Sequence, residues 1–199
     1  MKTIHFEHTL LKNEVSYLQE LVGKDLSGIG SDYISIEPSH LEKWVFHKWI
    51  EFSNWNDNMV QRLEYSFDET YGGRSFIELR IESLEIERRT LNAHISFSGQ
   101  DKFTVLKIET YGYDSEYLTR NILGDIPKED LKSNEQYNEK TSTENSLLIY
   151  GTNGKRIWIE CQGPTLDLLV TMDEIYVQSR LNTNELEFNL KMNLKREIR

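Results

Sequence analysis

FIELRIESLEIERR, residues 76–89, contains two alternations that disagree with each other. Ile77, Leu79 and Ile81 put apolar side chains on odd positions, whereas Leu84 and Ile86 put them on even ones, so the buried parity switches around Ser83. Successive side chains of a strand point to opposite faces, so a change of parity means either two strands or one strand with an extra residue. No glycine, proline or turn cluster separates Ile81 from Leu84, and nothing there reverses the chain. The segment reads as one long bent strand over residues 76–88, with a bulge near Ser83 of the kind a curved sheet needs.

Segments elsewhere share that period of two. MVQRLEYSF (59–67) offers Leu63, Tyr65 and Phe67 to one face, and LNAHISF (91–97) offers Leu91, Ala93, Ile95 and Phe97. ELEFNLKMNL (185–194) offers Leu186, Phe188, Leu190, Met192 and Leu194. Asn153-Gly154 predicts a tight type I′ hairpin, while SGQDK (98–102) and YGGR (71–74) are looser hairpin signals. Such tight reversals imply antiparallel pairing. In SHLEKWVFHKWIEF (39–52), Ser39 and Glu42 stand at capping-box spacing, but the crowd of bulky apolar residues favours strand. KWIEF (48–52) and RIWIEC (156–161) share Trp-Ile-Glu, and the second copy directly follows the Asn-Gly turn. As strands, they turn Ile50, Phe52, Ile159 and Cys161 inward and put Trp49, Glu51, Trp158 and Glu160 on the opposite face.

Two helices are expected. LLKNEVSYLQELVG (10–23) spaces Leu11, Val15, Leu18 and Val22 by 4, 3 and 4, with Asn13 placed to cap it and Gly23 to end it. DSEYLTRNILG (114–124) has an acidic start, Leu118 and Ile122 one turn apart, and a terminal glycine. The glycine-rich GKDLSGIGSD (23–32) lacks the order of a phosphate-binding loop and reads as a plain turn. KEDLKSNEQYNEKTSTENS (128–146) has almost nothing apolar to bury, which predicts a polar, mobile connection over about 127–146.

The totals bound the class of protein. With 38% hydrophobic and 28% charged residues, three prolines and no low-complexity tract, the 199 residues read as one folded globular domain, 1–199. A single cysteine, Cys161, excludes disulfide scaffolds and multi-thiolate zinc sites. His5, Glu7 and His8 interrupt the N-terminus where a leader needs an apolar run, and no stretch of about 18 apolar residues follows, so no membrane is expected and the cytoplasm is. The net charge of −10 repels a phosphate backbone, which argues against nucleic acid. Residues 109–144 hold nine acidic against four basic residues, whereas LKMNLKREIR (190–199) is basic.

No stretch carries a catalytic, metal or nucleotide motif. His5 and His8, three apart on a strand, point to opposite faces, and His40, His47 and His94 fall near no other ligand pattern, so no metal or other cofactor is assigned. Cys161 shares parity with Ile157 and Ile159 and reads as a small core residue, not a nucleophile. The best interface candidate is YGYDSEY (111–117), where Tyr111, Tyr113 and Tyr117 alternate with Asp114 and Glu116, because tyrosine is enriched where proteins meet partners.

These readings predict an α+β fold, predominantly antiparallel β. The expected form is a curved sheet, two-layer sandwich or partly open barrel of about eight to ten strands with two short peripheral helices. The leading functional expectation is a non-catalytic cytoplasmic protein whose acidic surface binds a basic protein partner, an inhibitor or immunity protein for a basic toxin enzyme being one instance. The alternative is a small-ligand or carbohydrate-binding β module that uses Trp49 and Trp158 as exposed stacking platforms and Glu51 and Glu160 as hydrogen-bond acceptors.

Overall fold

SLLIYG, residues 146–151, is an almost unbroken apolar run, so a strand there needs cover on both faces. The structure, a computed structural model, supplies it. It describes residues 1–32, 34–36, 42–54, 59–69, 75–85, 93–97, 102–122, 124–127, 129–162, 166–182, 184–185 and 190–199. In chain order these form β1 (Lys2–His8), α1 (Lys12–Leu21), β2 (Asp25–Leu26), β3 (Gly28–Ser31), β4 (Ile34–Ile36), β5 (Lys43–Phe46), β6 (Trp49–Ser53), β7 (Met59–Glu69) and β8 (Ser75–Glu85). There follow β9 (Ala93–Ser96), β10 (Phe103–Arg120), β11 (Gln136–Thr143), β12 (Ser146–Gly151), β13 (Arg156–Gln162), β14 (Asp167–Thr171), α2 (Glu174–Asn182), β15 (Asn184–Glu185) and β16 (Leu190–Ile198).

The fold is α+β and mainly antiparallel. One sheet runs β1-β11-β10-β12-β13-β14-β5-β4, with β2 and β16 also on β10 and β15 on β16; the other runs β8-β7-β6-β3-β9. Neither closes into a barrel. Among the described residues the β1–β11 pair is parallel and the other ladders are antiparallel. Strand segments exceed the expected eight to ten because long ribbons are broken, as β11 and β12 are at Glu144-Asn145. The main core joins Ile29, Ile50, Phe52, Leu63 and Leu79 of the smaller sheet to Ile108, Leu147, Ile149, Ile157 and Ile159 of the larger, with Leu18 and Leu21 of α1. On the other face of the larger sheet, Leu148, Trp158 and Met192 pack with Val177 of α2. β12 and β13 are therefore buried on both sides.

The opening stretch is one strand as far as it is described, and it has no bulge. β7 and β8 pair in unbroken register from Met59↔Glu85 to Glu69↔Ser75. The parity changes because the covered face changes. Leu79 and Ile81 enter the main core on the odd face, whereas Leu84 is half-buried opposite buried Val60 on the even face. Residues 86–89 lie outside the described residues. Ladder irregularities that do reset parity occur in β10 at Leu106 and in β16 at Lys195.

Other expectations need correction. Residues 114–120, read as a helix, are the outer half of β10, because β11 supplies a ladder partner that outweighs a weak i, i+4 pattern. The second helix is α2 instead, whose Asp173 carboxylate accepts the amides of Ile175 at 2.9 Å and Tyr176 at 3.3 Å. Residues 136–143, inside the expected mobile connection, form β11, held between β1 and β10. The glycine-rich 23–32 contains β2 and β3. α1 is capped by Glu14, which accepts the Leu11 amide at 2.6 Å, and not by Asn13. The Asn153-Gly154 hairpin exists, but of its residues only Gly154 has positive φ, at 79°, and the Gly154 amide bonds Gly151 O at 3.1 Å. That is a type I turn followed by a left-handed glycine, one residue wider than type I′.

Segment 43–53 is strand, as read, but two strands in different sheets. β5 pairs β14 in the larger sheet and β6 pairs β7 in the smaller, with Lys48 at φ 67° where the chain crosses. Ile50 and Phe52 are buried as expected. Of the looser hairpin signals, residues 71–74 lie outside the described residues but join paired β7 and β8. Residues 98–101 also lie outside them, and the strands on either side pair elsewhere, β9 with β3 and β10 with β2, β11, β12 and β16.

Candidate functional site

β10 is the longest strand described, and its two halves differ. Val105 and Ile108 both reach the main core because Leu106, 55% exposed, is the extra residue between them. From there odd positions turn toward α2. At Gly112 the strand passes the break between β11 and β12, and a Cβ there would lie 1.8 Å from Thr143 O. Glu144, in that break, is buried and accepts the Leu10 amide at 2.9 Å and the Arg196 Nε at 3.1 Å. Beyond Gly112, β10 leaves the core and forms an outer wing with β11 and β1.

Under α2 the inner half places carboxylates among aromatic rings. Glu109 is buried; Lys107 Nζ lies 2.5 Å from its Oε1, and the hydroxyls of Tyr111 and Tyr150 each donate to Oε2 at 2.7 Å. Burial pushes the Glu109 carboxyl up, but these donors outweigh it and hold the group below the usual range. Burial, then the hydrogen bond to Glu109, pushes the Tyr111 hydroxyl upward. Glu160 accepts Trp158 Nε1 at 2.9 Å, Arg180 Nε at 2.8 Å and the Tyr176 hydroxyl. Each carboxylate accepts three donors. Glu160 ties α2 to the sheet through Tyr176 and Arg180, and Glu109 fixes Tyr111 and Tyr150 in the aromatic layer beneath it.

The outer half is open. Register aligns His5, Lys140 and Glu116 in one row and Glu7, Ser142 and Asp114 in the next, so all six side chains share a face. They line a groove of about 420 Å³, made by residues 5–7, 114–116 and 140–142. Ser142 Oγ donates to Asp114 at 2.7 Å, Lys195 Nζ lies 2.6 Å from Asp114, and Lys140 Nζ lies 3.2 Å from Glu116. Burial would raise the Asp114 carboxyl, but Lys195 and Ser142 hold it low. Glu7 is exposed and forms no ion pair with a described residue.

The five residues predicted as one interface are therefore split. Alternation puts Asp114 and Glu116 in the groove and sends Tyr111, Tyr113 and Tyr117 to the opposite face. Tyr111 packs on Trp158 at 5.5 Å between ring centroids, and the Tyr113 hydroxyl accepts from Arg180 at 3.3 Å. Sequence reasoning missed His5, Glu7, Lys140, Ser142 and Lys195, because the groove is assembled only when β1, β11 and β10 pair in register and Lys195 reaches in from β16.

The residues of the alternative site are not brought together. Trp158 is 0% exposed, so it offers no stacking platform, and Glu160 is buried with it. Trp49 and Glu51 lie in the other sheet, where Arg62 covers the Trp49 ring at 4.3 Å and donates to Glu51 at 3.0 Å. Cys161 is half-buried, its thiol pushed up to about 12 by burial and then by Asp167 and Glu160. On the surface, His47 Nδ1 lies 2.5 Å from Asp167 Oδ1, between Lys48 at φ 67° and Leu166 at φ 58°. Among the described residues no group of three His, Cys, Asp or Glu could hold a metal ion. No described helix is long and apolar enough to cross a membrane. No protein-family profile, curated protein or solved structure matches this chain.

Proposed function

We propose that this is a non-catalytic binding protein of the cytoplasm, which captures a basic protein partner on the outer face of the β1–β11–β10 wing. One observation carries the reading: Glu7, Asp114 and Glu116 share an open groove, while the buried acids of the same sheet, Glu109 and Glu160, are each engaged by three donors of this chain. A net charge of −10 draws a cationic partner from beyond contact distance. The Glu116–Lys140 contact is exposed on both sides and exchanges at little cost, so a partner's arginine or lysine replaces it readily, and Asp114, itself exposed, keeps a side open to a partner beside the largely covered Lys195. An inhibitor or immunity protein that neutralises a basic toxin enzyme is one instance of this class. The ligand-binding alternative loses its main support with Trp158 buried.

The test is to purify a partner from the source cells and measure binding kinetics over a salt series. Neutralising Glu7, Asp114 and Glu116 together (E7Q, D114N, E116Q) is expected to slow association about tenfold at low salt, with the deficit shrinking as salt rises. An acidic partner, or association indifferent to salt and to all three substitutions, would falsify the proposal.

A further inference from the structure

Among the described residues, the groove ends at an edge that carries no further strand. β1 terminates the larger sheet, paired with β11 through seven consecutive residues without a register shift. His8 O accepts the Glu144 amide at 2.9 Å, so His8 turns its backbone groups toward the β11 ribbon. In a parallel ladder the N–H and C=O of one residue point the same way and those of the next point the other. Lys2, Ile4 and Phe6 therefore face β11 with His8, and Thr3, His5 and Glu7 turn both backbone groups outward. No described strand pairs with them on that side.

Protein edges of this kind are normally blunted by proline, a bulge, extreme shortness or a free lysine. KTIHFEH has no proline and no bulge; of its Lys and Glu, Lys2 is engaged with Asp130, and the exposed Glu7 guards the edge against an acidic strand but not a basic one. The outward residues His5 and Glu7 also line the groove, so edge and groove form one continuous surface.

We infer that β1 is a strand-addition site, which takes an extended lysine- or arginine-bearing segment of the partner. The inference rests on the function proposed above and gives it a binding mode. Neighbouring strands lie about 4.8 Å apart, so a lysine on the added strand reaches Glu7 directly. Asp114 and Glu116, three strand spacings or roughly 14 Å away, guide the approach without touching that strand. Charge selects this occupant over a second copy of the chain, because edge-to-edge pairing of two copies would bring together two surfaces of net charge −10.

The probe is a ten-residue peptide alternating lysine with valine, compared with the same peptide N-methylated at every second residue and with its glutamate counterpart. In the free protein the Thr3, His5 and Glu7 amides are expected to exchange fast and those of Ile4, Phe6 and His8 slowly. The lysine peptide is expected to slow the first three at least tenfold. N-methylation on the paired edge should weaken binding at least tenfold, and the glutamate peptide should not bind. Binding with no added protection in β1, or equal affinity of the methylated peptide, overturns strand addition. If that binding still depends on salt and on Asp114 and Glu116, the acidic-face reading survives alone; if no basic peptide binds, both fall. A doubled mass in light scattering with Thr3, His5 and Glu7 already protected assigns the edge to a second copy and overturns the inference.

Discussion

Glu109 and Glu116 lie seven residues apart on β10, and each is paired with a lysine, yet they serve opposite ends. Around Glu109 the strand has β12 and β16 on its two sides and the aromatic layer under α2 above it. Around Glu116 it has β11 and then β1, and one face meets solvent. A buried carboxylate that loses its donors leaves an uncompensated charge, which costs about 3–5 kcal/mol, whereas an exposed pair is worth about 0–1 kcal/mol. Around Glu109 the donors are fixed by the packing. The outer half can exchange its partners, which is what recognition requires.

The largest expected effect tests the claim that the inner half is sealed. Trp158→Ala removes a fully buried indole and leaves the Glu160 and Tyr111 contacts open. Urea unfolding should show a loss of about 3–5 kcal/mol. A loss under 1 kcal/mol would mean that the indole is accessible and would revive the ligand-binding alternative. Gly112→Ala tests the junction next. Its new methyl meets the Thr143 backbone, which no rotamer relieves, so a loss of about 1–3 kcal/mol is expected. If the two halves are mechanically separate, amide exchange in this variant should rise most in β11 and β1.

Legibility divides along the same line. Ile77, Leu79 and Ile81 announced their strand because one covered face makes a clean alternation. Residues 136–143 announced nothing. QYNEKTST buries Tyr137, Glu139, Thr141 and Thr143, and a strand buried through polar side chains has no hydrophobic period. The segment is ordered by its ladders on both sides, one of them to the N-terminal strand, and such long-range pairing leaves no trace in local composition. The tyrosines misled for a related reason. Proximity in sequence grouped them with Asp114 and Glu116, while the strand period placed them on the other face. In the groove, Asp114 and Glu116 were legible as charge, but His5, Glu7 and Lys195 were not, because register brings them there.

Acid should separate the halves as well. Lys107 with the two tyrosine hydroxyls, and Lys195 with Ser142, hold Glu109 and Asp114 below their usual range. A depressed carboxyl contributes stability that is present above its unfolded value, about 4.3 for Glu and 3.9 for Asp, and lost as pH falls through the folded one. Stability is therefore expected to be flat from pH 7 to about 5 and to fall below about pH 4. Glu109→Gln should make that acid limb shallower, and D114N should change it less, because exposure screens the Asp114 pair. Equal changes would contradict the difference in burial on which the comparison rests.

The smallest expected effect is the most informative about function. Replacing Asp114 and Glu116 by Asn and Gln keeps their shape and one oxygen to accept the Ser142 and Asn138 donors, turns the other acceptor, which on Asp114 takes Asn193, into a donor, and removes the charge. The Glu116–Lys140 pair is exposed and contributes little to folding, so E116Q should stay within about 0.5 kcal/mol of the parent, while D114N takes the carboxylate from the largely covered Lys195 and should cost about 0.5–1 kcal/mol. Glu109→Ala, which strands two tyrosine hydroxyls and Lys107, should by contrast lose about 1–3 kcal/mol. Urea midpoints of the two variants side by side decide the matter. If D114N/E116Q destabilises as much as Glu109→Ala, the groove acids are holding the wing together and are not free to meet a partner. If they are indifferent to folding, any slowing of association that they cause belongs to recognition, since the surface that meets the partner is otherwise unchanged.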